Sequence, residues 1–373
     1  MEIMKSVSKP AENLPQSEFS TRTKRLNGIM KRLKLDALFV QTPVNRYYFT
    51  GLTASNGLIL AERGEEPMFF TDFRYLTVAK NQIKFMPSKM LWRPKEEKGI
   101  LIGLGSSWKR VGFEGKISAE QLIKFKEALP NVEWVNIQSE IAELRSIKSG
   151  AERKAMRRAC SANDLMLAGV LDEIEIGMTE WEISSLIRQA AERIGQGESF
   201  EAIACVGRNG AECHHHPDNT VLRKNKMLLL DLGLKFDYYC ADMTRTTFFG
   251  KPNELYTKIY KIVLDANRKA ISKIKPGVSC GSIDKVARDY ITKAGYGKQF
   301  GHSLGHSIGL EVHEDPGFSI GHKTVLKPGM ILSVEPGIYL PGKLGVRVED
   351  LVLVTRDGCE ILSNSDRSGV REI

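Results

Sequence analysis

The run DLGLKFDYYCAD, residues 231–242, sets two carboxylates eleven residues apart on a β-rich stretch. Asp231 closes the apolar run Met227–Leu230, where a core strand is ordinarily dry. If residues 227–233 and 238–248 form a hairpin turning at Phe236-Asp237, Asp231 stands opposite Asp242 with Cβ atoms about 5 Å apart. Like charges so opposed destabilise a sheet unless something positive lies between them. A divalent cation is the economical candidate.

The run SVEPGIYLPGKLGVRVEDLVLV repeats the construction. A turn centred on Gly342 sets Glu335 across from Glu349 on one face, and strand alternation adds Arg347 to that face. Solvated acids on a polar face would account for either pair alone. Two such pairs, one behind four apolar residues, point inward. Between the hairpins, GHSLGHSIGLEVHEDP supplies His302, His306 and His313. Each taken singly reads as a polar residue in a Gly-rich loop, but beside four acids they read as part of a site. Four carboxylates, one imidazole and two divalent ions make a near-neutral cluster. Such an oxygen-rich set suits Mn, Co or Zn rather than a thiolate structural zinc site. Two ions sharing a hydroxide and polarising a carbonyl are the equipment of two-metal hydrolases.

These hairpins need a scaffold, and 373 residues are enough for two domains. Residues 18–35 carry a helical pattern, followed by apolar strands DALFVQ, GLILAE and PMFFTD, a helical stretch near Tyr75–Ile83, and a further strand GILIGLG. Alternation of this kind reads as a small α/β domain. A connector near Gln138–Lys148 leads to the capping boxes Ser149-Gly-Ala-Glu152 and Thr179-Glu-Trp-Glu182, each opening a helix. Helices near Glu254–Ile274 and Ser282–Lys293 precede the last hairpins, so the second domain is α+β.

Composition narrows the function classes. The N-terminal residues lack an apolar core of the secretory type, and no apolar run approaches the roughly 20 residues that span a bilayer. Six scattered cysteines without a CxxC pair suggest reduced thiols and a cytoplasmic setting. Of the net charge of +9, residues 1–150 hold +8, with 24 Lys+Arg against 16 Asp+Glu. Lacking zinc-finger spacing or an aromatic RNA-binding run, this half reads as a solvated basic surface, not a nucleic-acid partner.

The ordered residues Asp231, Asp242, His306, Glu335 and Glu349 stand in DLG, ADMTRT, GHSIGLEVHE, SVEPGIY and GVRVED. In this the chain resembles the dinuclear metallopeptidases of the pita-bread fold, a family that includes methionine aminopeptidase, aminopeptidase P and prolidase. Residues 1–140 resemble the creatinase-type N-terminal domain, which methionine aminopeptidases lack, so the likeness is nearest to the Xaa-Pro peptidases. It implies an α/β domain over 1–140 and a pita-bread catalytic domain over 141–373.

The resemblance further implies that Asp231 and Asp242 hold one metal, Asp242 bridging to the second. His306 and Glu335 complete the second site, and Glu349 bridges both. Glu335 is implied as general base, His214 as facing the scissile region, and His313 as hydrogen-bonding the oxyanion. His215 and His216 adjoin His214, and a one-residue loop shift would promote a neighbour. Arg347 and Tyr339 are implied to orient Glu349 and the substrate, Tyr339 and Phe200 to line a proline pocket, and His302 to play a structural part. Two departures stand out: Ser307 follows the ligand histidine where the family often has a small residue such as glycine, and Asp237-Tyr238 replaces an Asx-Gly turn.

The expected activity is a metal-dependent Xaa-Pro aminopeptidase cleaving the bond before a proline, with Mn the first expected ion and Co, Zn or Fe acceptable. A prolidase acting on the dipeptide is the alternative, since both share the five ligands. A proline-containing peptide is the expected partner, with no nucleic acid or membrane, and a homodimer is a family expectation. Retention of all five ligands weighs against a non-catalytic binding protein of the same fold.

Overall fold

Short apolar runs in the first half pair into one sheet. The computed structural model describes residues 13–90 and 94–371. The chain folds as two compact units, residues 13–144 and the residues from Arg145 onward. The N-terminal residues read above for a secretion signal include 1–12, which lie outside the described residues.

The first unit runs α1 (Gln16–Leu33), β1 (Ala37–Val40), α2 (Pro43–Thr50), β2 (Leu58–Glu62), β3 (Met68–Thr71), α3 (Phe73–Gln82) and β4 (Ser88–Met90). Then come α4 (Pro94–Gly105), β5 (Arg110–Phe113), α5 (Ala119–Ala128), β6 (Glu133–Asn136) and α6 (Gln138–Ser146), which reaches the boundary. The sheet order is β4-β3-β2-β1-β5-β6. Every residue of β1 is buried, as befits a central strand covered on both faces. Its Phe39 gathers the rings of Trp108, Phe125 and Trp134 within 5.9, 5.0 and 5.8 Å.

Two expectations change here. The run GILIGLG forms the end of α4 rather than a strand. Leu101 is buried while Ile102 and Leu104 are exposed, and a short apolar run alone does not separate helix from strand. The expected connector at Gln138–Lys148 is mostly the helix α6.

In the second unit both capping boxes form and open α7 (Gly150–Glu173) and α8 (Glu180–Ile194). The strands β7 (Ile203–Val206), β8 (Lys226–Leu232), β9 (Lys235–Phe236), β10 (Tyr239–Cys240) and β11 (Met243–Phe249) precede α9 (Glu254–Ile271) and α10 (Cys280–Lys293). After them come β12 (Gly305–Ser307), β13 (Glu314–Phe318), β14 (Ile331–Val334), β15 (Gly337–Leu340), β16 (Leu344–Arg347), β17 (Asp350–Val354), β18 (Cys359–Ile361) and β19 (Val370–Arg371). They build a four-stranded sheet β19-β11-β8-β7, a five-stranded sheet β13-β12-β14-β17-β18 and the hairpins β9-β10 and β15-β16.

Strand alternation sorts β8 between two cores. Leu228, Leu230 and Leu232 pack with Ile183 and Ile187 of α8. Met227 and Leu229 pack with Ile259 and Val263 of α9 and with Leu332, Val334 and Val346. Asp231 shares the parity of Met227 and Leu229, so it points to the second layer, where the acids of the other hairpin stand.

The two hairpin registers had unequal outcomes. In β15–β16, Gly337 pairs with Arg347, and in β14–β17, Val334 pairs with Asp350. One register spans both ladders and places Glu335 across from Glu349 in the gap between them, as expected. In β8–β11, Asp231 pairs with Thr244, not Asp242. The turn lies at Asp237-Tyr238 rather than Phe236-Asp237, with φ of 50° and 67°. This is the type I′ pattern formed without glycine. A slip of two residues keeps every side chain on its face, so Asp242 lies diagonal to Asp231 on the same side. Among the described residues, no helix is long and apolar enough to cross a membrane.

Holding a tyrosine ring in the left-handed region costs about 1 kcal/mol. Tyr238→Gly is therefore expected to raise the denaturant midpoint with an unchanged slope. A lowered midpoint would show that contacts of the ring outweigh the strain.

Candidate metal centre and its cleft

A cleft of about 690 Å³ in the second unit collects all seven histidines of the chain, together with Asp231, Asp242, Glu335 and Glu349. Among the described residues, Arg347 is the only guanidinium on its wall, and no lysine lines it. Asp231 is the last residue but one of β8, Asp242 stands just before β11, His306 lies in β12, and Glu335 and Glu349 occupy the gap between the two registered ladders.

The five side chains converge. His306 Nε2 lies 3.6 Å from Asp242 Oδ2 and 3.3 Å from Glu335 Oε1. Asp242, His306 and Glu349 each offer a donor atom within 4.8 Å of the other two. His306 Nδ1 meets the Ser307 carbonyl at 3.1 Å. A carbonyl only accepts, so Nδ1 carries a proton and the ring turns its Nε2 edge to the acids; burial opposes charge on this ring, but the bond and charge of Glu335 raise its pKa. Ser333 Oγ, which accepts from the His306 amide at 3.0 Å, donates to Glu335 Oε1 at 3.1 Å.

Three buried carboxylate oxygens here have no hydrogen-bond partner among the described residues: Asp231 Oδ1, Asp242 Oδ1 and Glu349 Oε1. A buried oxygen without a donor costs free energy unless a cation meets it. Burial, then the charges of Glu349, Asp231 and Glu335, push the Asp242 carboxyl well above its ordinary value. Burial followed by Glu335 and Asp231 does the same to Glu349. Glu335 goes the other way: burial raises it, but the bond and charge of His306 and the charge of Arg347 bring it below the usual value. The donor set therefore fits hard or borderline divalent ions with oxygen and imidazole preference.

Behind the open oxygens the site is wired by a directional chain. His302 Nδ1 meets the Ser303 carbonyl at 2.8 Å and so carries a proton. Its Nε2 then accepts the Tyr339 hydroxyl at 2.9 Å, and Tyr339 Oη accepts from Arg347 Nη1 at 2.8 Å. Arg347 donates onward through Nη2 to Asp231 Oδ2 and through Nε to Thr244 Oγ1 at 2.9 Å. The Thr244 hydroxyl in turn donates to Glu349 Oε2 at 2.9 Å. Arg347 thus holds Asp231 directly and reaches Glu349 through Thr244. Thr244 was missed, although its place in ADMTRT opposite Asp231 followed from the true register.

His313 lines the cleft with its ring centroid 4.4 Å from that of His306. Burial and the neighbouring His306 charge lower its pKa, so it stands neutral at pH 7 with one N–H to donate. The next residue, Glu314, anchors it. Glu314 Oε1 accepts the Leu310 and Glu311 amides at 3.0 and 3.2 Å and meets Arg145, while Oε2 meets Lys148 at 3.1 Å. Burial raises this carboxyl, but Lys148 and Arg145 hold it down at about 2. No spacing in the sequence marked this ion cluster, because its cations lie 166 and 169 residues upstream.

The His214–His216 run is also resolved. His215 bonds Glu180 and Glu212, whereas His214 and His216 are exposed at the cleft. Phe200 lines the cleft. Tyr339 is buried behind Arg347 and is not on the cleft wall, so its place is in the hydrogen-bond chain rather than against a substrate ring.

Glu349→Gln removes one of the mutually repelling buried charges. It is expected to raise the melting temperature of the chelated protein. It should also abolish the stabilisation that Mn²⁺ gives the wild type, about 2.7 kcal/mol at a hundred times Kd. A wild-type response to Mn²⁺ in this variant would remove Glu349 from the ligand set.

Comparison with known proteins agrees with this geometry. Residues 154–356 match metallopeptidase family M24, and residues 22–147 match the creatinase/prolidase N-terminal domain. The chain is 34% identical over 348 residues to a Xaa-Pro dipeptidase of Pyrococcus furiosus, covering 93% of this chain and 98% of that one. A Xaa-Pro dipeptidase from Bacillus anthracis superposes with a TM-score of 0.89 at 31% identity, covering 95% of this chain and all of the other (100%). An X-Pro aminopeptidase from Thermotoga maritima superposes with a TM-score of 0.84 at 30% identity, covering 92% of this chain and 100% of that one. These likenesses make the second unit a pita-bread catalytic fold and the enzyme a hydrolase working with divalent metal ions. The chain belongs to metallopeptidase family M24, in its prolidase and aminopeptidase P branch.

Proposed function

We propose that the chain is a Xaa-Pro dipeptidase that holds two divalent ions, Mn²⁺ first among them, on Asp231, Asp242, His306, Glu335 and Glu349. The observation that carries this is the convergence of three donor-less buried oxygens with His306 at the foot of the cleft. The sequence reading put the aminopeptidase first. The relatives named as dipeptidases and prolidases move the preference to the dipeptide. The Thermotoga maritima neighbour supports the aminopeptidase as a second reading.

When bound, the ions would supply Lewis acidity at the scissile carbonyl and a hydroxide at neutral pH. The chain's own residues supply the rest. Glu335, the acid whose carboxyl lies below its ordinary value, takes the proton of the attacking water and returns it to the proline nitrogen. That nitrogen bears no hydrogen in the substrate, so it must gain one to leave. His313 donates its N–H to the oxyanion, and His214 faces the scissile bond across the cleft. Phe200 offers its ring to the proline. Arg347, Tyr339 and His302 fix Asp231 from behind. In this reading the domains are residues 1–140 and 141–373, and the working form is a cytoplasmic homodimer.

The deciding experiment compares Ala-Pro with Ala-Pro-Ala after chelation and re-addition of Mn²⁺. Cleavage of the dipeptide alone is expected, and preference for the tripeptide would install the aminopeptidase reading. His313→Ala should keep its metal and lose roughly 10²-fold in turnover, as for a lost oxyanion donor. An unchanged rate would exclude His313 from the mechanism.

A further inference from the structure

The loop that carries His214 is tied down by a buried acid that the site does not otherwise use. Glu180, the first residue of α8, is fully buried at 0% exposure. Its Oε1 accepts from the Val206 amide and from Asn209 Nδ2 at 3.0 Å. Its Oε2 accepts from the Asp218 amide at 3.1 Å and from His215 Nε2 at 2.8 Å. The other ring nitrogen, His215 Nδ1, lies 2.9 Å from Glu212 Oε2. The segment is also stitched to α8 by its backbone, with the Glu180 and Trp181 amides donating to the Thr220 and Asp218 carbonyls at 3.0 and 3.2 Å.

Glu180, His215 and Asp218 are near enough together to suggest a metal site. Glu180, however, already accepts four N–H donors, and a nitrogen 2.8 Å from a carboxylate oxygen is at hydrogen-bond distance. Both ring nitrogens of His215 face carboxylate oxygens, Nε2 lying also 3.2 Å from Asn209 Nδ2; with Glu180 and Glu212 ionised, each nitrogen donates to one of them and the ring is an imidazolium.

We infer that His215 is a positioning residue: as an imidazolium clamped between Glu180 and Glu212, it fixes the loop so that the adjacent His214 projects into the cleft. This rests on the proposed peptidase function for the role of His214. The charged groups facing His215 are Glu180 from α8 and Glu212 and Asp218 from its own loop. Burial opposes its charge, but the two carboxylates outweigh burial and raise its pKa. The clamp is therefore complete below the ordinary histidine pKa and is lost as pH rises through the raised value. Activity is expected to fall along that alkaline limb.

The test uses the full chain, loaded with Mn²⁺ for kinetics and with diamagnetic Zn²⁺ for NMR. Nitrogen NMR of labelled histidine, assigned by its loss in His215→Asn, is expected to show both His215 nitrogens protonated at pH 7. A neutral ring would overturn the clamp. His215→Asn should lower kcat on Ala-Pro about 10- to 100-fold, with KM and metal content near wild type. Added to His214→Ala it should cost at most about a further twofold, since the two act as one unit. Losses that multiply would overturn the inference. Glu212 is exposed, so Glu212→Gln does not threaten folding; it should move the alkaline limb to lower pH, and an unmoved limb counts against the clamp. Extra bound metal in the wild type that disappears with His215→Asn would replace the clamp with a metal site. Should the wild type cleave no Xaa-Pro peptide, the proposed activity fails, while the NMR result still decides the clamp.

Discussion

Everything in the catalytic unit answers to one electrostatic constraint: several carboxylates share a buried space with too few donors. Asp231, Asp242 and Glu349 each leave one oxygen unpartnered among the described residues. Such an arrangement persists only if the surrounding structure fixes the acids in place and a cation repays their desolvation on binding. The fold provides the first condition by delivering the acids from ladder ends. Strands are held by their neighbours at every residue, so side chains at their ends move little, and the acids cannot swing apart to relieve repulsion.

The protein's own positive charge is kept behind this cluster rather than within it. Arg347 reaches Asp231 through one oxygen and leaves the other without a donor among the described residues. Its remaining donors are consumed by Tyr339 and Thr244, which pass the ordering on to His302 and Glu349. Arg145 and Lys148 act likewise on Glu314, beside His313. In both cases a buried cation orients an acid or its neighbour without competing for the face where ions and substrate belong. A lysine on the cleft wall would compete there, and among the described residues the wall has none.

How far this was legible in the sequence depended on turn chemistry. Gly342 has φ of 72° and sits where the second hairpin reverses, so centring the turn on it set the whole register, including Glu335 against Glu349. The first hairpin turns on Asp237 and Tyr238, both at positive φ without a glycine, and its register was misread by two residues. The site survived that error because strand side chains repeat every two residues, whereas an error of one would have turned Asp231 away. What the misreading concealed was Thr244, the true partner of Asp231. Contacts between distant segments were out of reach for another reason. Glu314 with Arg145 and Lys148, or Glu180 with His215, carry no local periodicity, and only the packed chain brings them together. The helix at GILIGLG was lost because an apolar run of that length satisfies both periods.

The three consecutive histidines show how one sequence signal divides into unlike roles. Read alone, the run is uniform, and any member could face the scissile bond. Burial separates them. His215 turns inward to a carboxylate that cannot be left unpaired at 0% exposure, which commits its neighbours to the other side of the backbone. His214 and His216 are thereby delivered to the cleft. The selection is made by Glu180, 35 residues away from His215 and far from the metal ligands in sequence. The acid pairs at the ladder ends thus determine where the charge collects, while a single buried acid on α8 holds His215 and leaves His214 and His216 exposed at the cleft.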